Sequence, residues 1–81
     1  MLALTDVELK TQEIVGRFFK TQPTDLGPET RLREDLGADS LDLLELLFTL
    51  EQELGVSIPD ADAAEIRTIG DAARYVQQAA R

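Results

Sequence analysis

Cysteine and histidine are both absent from the 81 residues. Without cysteine there is no disulfide framework and no thiolate metal site. Without histidine there is no Ser-His-Asp arrangement, and the commonest general base and the commonest zinc ligand are missing too. A serine that carries function here is therefore not a hydrolase nucleophile of the usual kind. The acids do not make an EF-hand, because twelve residues counted from Asp35 end at Leu46, where a bidentate Glu is required. No metal site is expected. Long apolar runs are also lacking: the opening MLALTDVELK has neither a basic start nor a stretch of signal-peptide or membrane-spanning length. A cytoplasmic chain without membrane insertion is expected. Internal repeats and low-complexity segments are absent.

Positive charge is scarce, with 8 Lys and Arg against 16 Asp and Glu and a formal net charge of −8. It is also unevenly placed. No Lys or Arg lies between Arg33 and Arg67, while that interval holds Glu34, Asp35, Asp39, Asp42, Glu45, Glu51, Glu53, Asp60, Asp62 and Glu65. Such a field repels nucleic acid and anionic membranes and attracts basic protein patches.

What the chain does contain is helical periodicity. Its length makes residues 1–81 a single small domain, with stability expected near the lower end of the usual ~5–15 kcal/mol. Thr5 and Glu8 form a capping box, with Leu4 and Leu9 as a hydrophobic staple, so a first helix should run from about Asp6 to Phe19. Val7, Ile14 and Phe18 share its inner face, with Thr11 between them and Val15 beside. Gly16 inside this helix costs about 1 kcal/mol relative to Ala, which points to close approach of another segment. Lys20 to Ala38 reads as a long loop punctuated by Pro23, Gly27 and Pro28, anchored by Leu26, Leu32 and Leu36, with a helical turn around Glu29–Arg33. Pro59-Asp60 opens a short alanine-rich helix through Glu65. Thr68, with Asp71 three residues on, caps the last helix, whose apolar face is Ile69, Ala72, Ala73 and Val76, with Tyr75 at the core edge and its hydroxyl outward. The fold class is all-α: a small four-helix bundle of three main helices and one short one, with a long first loop.

The longest periodic segment follows Leu36-Gly37-Ala38-Asp39-Ser40-Leu41. Asp39 is a strong N-cap, worth roughly 1 kcal/mol over Ala, and Gly55 is the natural stop. Ser40 falls on the first helical residue, where unpaired N–H groups and the positive dipole end would receive a phosphate. At 100° per residue, Leu43, Leu46, Leu47, Leu50 and Leu54 gather into a core stripe. Leu41, Leu44 and Phe48 form a second stripe flanked by Glu45, Glu51 and Gln52. A domain this small has no second core for it, so this face should dock a basic groove with an apolar floor.

The segment LGADSLDLLEL resembles the motif around the modified serine of acyl carrier proteins. The resemblance extends from Ile14-Val15-Gly16 through Asp-Leu-Gly-Ala-Asp-Ser to Ile58-Pro59-Asp60 and Ala72-Ala73-Arg74-Tyr75. It implies a carrier rather than an enzyme, with 4′-phosphopantetheine joined to Ser40 by a phosphopantetheinyl transferase and acyl intermediates held as thioesters for fatty acid biosynthesis. The thiol must then come from the prosthetic group, since the chain has none. Asp39 would fix the Ser40 backbone. Asp35, Leu41, Asp42, Leu44, Glu45, Phe48 and Glu51 would meet acyl-processing enzymes with basic docking patches. Leu43, Leu47, Leu50, Ile58, Ile66 and Ala72 would line a cavity for the acyl chain, with Leu43 at its mouth. A monomer is expected. Leu43 and the alanine-rich third helix depart from the usual fatty-acid type, which leaves open a specialised carrier for polyketide, unusual lipid or aminoacyl groups.

Overall fold

The computed structural model describes residues 6–79. Four helices follow in order: α1 (Asp6–Phe19), α2 (Ser40–Leu54), α3 (Asp60–Ala63) and α4 (Ile69–Ala79). The bounds of α2 are those its caps and periodicity predict, and α1 ends at Phe19 as expected. Leu4 and Thr5, and with them the expected capping box and staple of α1, lie outside the described residues. α1 packs against both α4 and α2. The core joins Ile14 and Val15 of α1, Leu46, Leu47 and Leu50 of α2, Ile69 and Ala72 of α4, and Leu26, Leu32, Ile58 and Ile66 from the connections. Thr11 is the buried polar residue of this core, and its hydroxyl donates to the Val7 carbonyl at 2.7 Å.

The close approach at Gly16 comes from the chain's own return. Lys20 takes a left-handed φ of 57°, and the Thr21 N–H donates back to the Gly16 carbonyl at 2.8 Å. A Cβ at Gly16 would lie 2.6 Å from the Thr21 carbonyl oxygen. The loop that follows is anchored by buried Leu26 and Leu32, with Leu36 packed against the core, as expected. Its helical turns flank the predicted stretch and overlap it in part. A 3-10 turn occupies Pro23–Asp25, and i to i+4 bonds from Asp35 to Arg31 and from Gly37 to Arg33 wind the stretch before Ala38. Around Glu29–Arg33 a tight turn closes from the Thr30 N–H to the Gly27 carbonyl at 3.1 Å, and the backbone then pairs with the start of α4. Leu32 N–H donates to the Arg67 carbonyl at 2.9 Å, Ile69 N–H to Thr30 at 3.0 Å, and Gly70 N–H to Pro28 at 2.8 Å. The loop carbonyls thus satisfy N–H groups that the first turn of α4 would otherwise leave unpaired.

α4 begins with a reciprocal cap, in which Asp71 N–H donates to Thr68 Oγ1 at 3.0 Å and Thr68 N–H to Asp71 Oδ2 at 3.2 Å. α3 is shorter than predicted. After Ala63 the bonds tighten to i+3, from Glu65 to Asp62 and from Ile66 to Ala63, which turns Ile66 into the core. The Tyr75 hydroxyl donates to Asp62 Oδ2 at 2.6 Å and so ties α4 to α3.

Candidate functional site

Ser40 owes its position to the three residues before it. Gly37 turns the chain at a φ of 72°, with nothing within 4 Å of where a Cβ would stand. Buried Ala38 anchors the turn, its N–H donating to the Leu32 carbonyl at 3.0 Å. Asp39 then caps α2: Asp42 N–H donates to Asp39 Oδ1 at 2.8 Å, and Asp39 N–H to Asp42 Oδ2 at 3.2 Å. This box holds the first turn rigidly, and Ser40 stands exposed on its first residue. Arg33 Nη2 donates to Ser40 Oγ at 3.3 Å, a contact across the loop that no periodicity in the sequence announces.

A groove of about 760 Å³ opens beside this hydroxyl, between the first loop, α2 and α3. Its volume falls in the range of small-molecule sites. Of the residues assigned to an acyl cavity, Leu43, Leu47 and Ile66 line this groove, together with Leu32 and Ala63. Leu50, Ile58 and Ala72 do not line it. They are buried in the core instead. Three arginines, Arg31, Arg33 and Arg67, stand at the groove, so the surroundings of Ser40 are not uniformly acidic. The backbone pairing of residues 30–32 with 67–69 brings two of them together, a juxtaposition set by tertiary structure.

On the outer side of α2, Leu41, Leu44 and Phe48 are 62, 60 and 60% exposed, the unpartnered stripe the wheel predicts. The acids around it are not equivalent. Asp35 receives Arg31, with Nη2 at 3.0 Å from Oδ1, and the Arg31 backbone N–H at 2.8 Å. The guanidinium hydrogen bond, then the backbone N–H, holds the Asp35 carboxyl below the usual range. Asp42 belongs to the α2 cap. Glu51 Oε2 accepts the Ile58 N–H at 2.6 Å and fastens the α2–α3 connection. Of the four acids assigned to docking, Glu45 is the one whose carboxylate has no partner among the described residues, its carbonyl alone taking the Thr49 hydroxyl.

Comparison with known proteins gives one answer. The family model described as "Phosphopantetheine attachment site" matches residues 10–76. The chain is 41% identical over 66 residues to the acyl carrier protein of Wolinella succinogenes, covering 82% of this chain and 87% of that one. It is 39% identical over 75 residues to the acyl carrier protein of Porphyromonas gingivalis, covering 93% and 96%. The solved acyl carrier protein of Enterococcus faecalis superposes with a TM-score of 0.78 at 31% identity, covering 91% of this chain and 94% of that chain. Fold and site together define a small helical carrier domain. The chain belongs to the acyl carrier protein family, whose cofactor is 4′-phosphopantetheine. The residues present fit that group: an exposed hydroxyl on a rigid helix start, a guanidinium within reach for a phosphodiester, and a groove running from it.

Proposed function

We propose that Ser40 carries the phosphopantetheine arm and that the whole chain, residues 1–81, is a carrier for acyl intermediates of fatty acid biosynthesis, not a catalyst. The observation that supports this best is a serine hydroxyl exposed on a doubly capped helix start, at the mouth of an apolar-walled groove. The bound group supplies a thiol on a long arm, on which acyl groups are held as thioesters. The chain's own residues present and orient that attachment. Asp39 and Asp42 hold the backbone of Ser40. On loading, Ser40 Oγ bonds to the pantetheine-bearing phosphorus of coenzyme A as the 3′,5′-ADP portion leaves, and the Oγ proton goes to a base that the phosphopantetheinyl transferase supplies, since the neighbouring Arg33 can only donate.

Partner enzymes meet the exposed face of α2. Leu41, Leu44 and Phe48 offer apolar insertion, and Glu45 offers the free carboxylate for an Arg or Lys. Asp35, Asp42 and Glu51 add to the field there but enter docking with their carboxylates already engaged. Leu43, partly buried and on the groove wall next to Ser40, narrows the entry for an acyl chain. Among the described residues no helix is long and apolar enough to cross a membrane. The test is intact mass after incubation with coenzyme A, magnesium and a broad-specificity transferase. One phosphopantetheine is expected on the parent chain and none on Ser40→Ala; a labelled Ala variant refutes the assignment.

A further inference from the structure

Arg31, Arg33 and Arg67 are three of the chain's eight basic residues, and all three line the groove beside Ser40 of a protein with net charge −8. They are not equivalent. Arg31 is paired with Asp35. Among the described residues, Arg33 and Arg67 have no ion-pair partner. Glu34 lines the same groove, yet Arg33 makes no ion pair with it, and its Nη2 donates to a neutral hydroxyl, Ser40 Oγ, at 3.3 Å. A guanidinium is a planar fork suited to two oxygens of a phosphate, and a single hydroxyl leaves most of that capacity unused.

We infer that Arg33 is this chain's own ligand for a phosphodiester at Ser40, and that it holds the root of the attached arm over the groove. The inference rests on the reading of Ser40 as the attachment point. Covalent geometry carries the rest. The phosphorus is bonded to Oγ itself, so its non-bridging oxygens stand two bonds beyond an atom that Arg33 already touches. Neither neighbouring acid pairs with the guanidinium: the Asp39 carboxylate serves the Asp42 N–H, and Asp35 is paired with Arg31. Arg33 therefore exchanges a neutral acceptor for an anionic one on loading, while Arg67 adds positive potential from across the groove. Arg33 is a positioning residue: it touches the root of the arm and takes no part at the thiol.

The experiment uses the full chain, loaded and verified by intact mass, as the parent, Arg33→Gln and Arg33→Lys. Phosphorus NMR reads the diester directly, and nitrogen NMR reads the Arg33 Nε–H in the parent before and after loading. The expected result is a diester resonance in the parent displaced from that of Arg33→Gln, restored in part by Arg33→Lys. The displacement should shrink toward the Arg33→Gln position in high salt, since an exposed pair is screened. Loading should move the Arg33 Nε–H signal and slow its exchange with water several-fold. A chain that takes no label overturns this inference together with the assignment of Ser40. A labelled chain whose diester resonance is the same in the parent and in Arg33→Gln, with an unmoved Arg33 signal, overturns the Arg33 contact alone.

Discussion

Glu51 sits on α2 near the exposed stripe, so its sequence position marks it for docking, while its carboxylate is turned inward to the Ile58 N–H at 2.6 Å. Ile58 is buried, and removal of the acceptor leaves its N–H unpaired at the edge of the core. A hydrogen bond to a charged acceptor contributes about 1.5–3 kcal/mol. Glu51 is only half-buried, so water recovers part of this in a truncated variant, and Glu51→Ala should cost about 1–2 kcal/mol. For a domain of this size that is a fall in Tm of about 4–16 °C. The control is Glu45→Ala, which changes the net charge equally, from −8 to −7, on the same helix but removes no side-chain bond. It should stay within about 0.5 kcal/mol of the parent. Glu51→Gln, which keeps an acceptor but not the charge, should fall between them. Thermal unfolding followed by circular dichroism orders the three. Equal melting of Glu51→Ala and Glu45→Ala would refute the reasoning and return Glu51 to the docking face as a free carboxylate.

Three further outcomes are expected. Gly16→Ala gains about 1 kcal/mol of helix propensity but drives a Cβ to 2.6 Å from the Thr21 carbonyl oxygen, a backbone atom held by its own hydrogen-bonded turn. Overpacking of this kind costs about 1–3 kcal/mol, so the urea midpoint should fall, and a rise would contradict the close approach. Tyr75 is the chain's single tyrosine, and its hydrogen bond to Asp62 pushes the phenol above its ordinary value, so phenolate absorbance should appear at higher pH in the parent than in Asp62→Asn. Because the folded value is the raised one, that bond stabilises the fold fully below about pH 10 and is lost as pH rises through the folded value. Glu45→Lys should slow loading of Ser40, mainly in the on-rate and less so at high salt, by the ~0.2–1 kcal/mol of an exposed pair; Tm should hardly move, and salt-independent loading would count against this face.

The helices were legible because each is specified locally. Asp39 and Gly55 bracket α2, Thr68 and Asp71 open α4, and the 3.6-residue period sorts Leu46, Leu47 and Leu50 inward from Leu41, Leu44 and Phe48. Ser40 was legible for the same reason, since a helix start is a local event and the residues around it carry the family's motif. Loop geometry was not. The turn at Pro23–Asp25 packs on α1, and the pairing of residues 30–32 with 67–69 follows from where α4 begins, neither of which local propensity encodes. The partners of the charged groups belong to that second class. A carboxylate in a one-letter string has no direction, and only the packed chain sends Glu51 to Ile58, Asp35 to Arg31 and Asp62 to Tyr75 while leaving Glu45 free. Sequence alone therefore determined the family, the helices and the place of Ser40 at a helix start. Tertiary structure decided which cavity residues reach the groove and brought Arg33 to Ser40, because both depend on contacts between segments far apart in the chain or joined through an irregular loop.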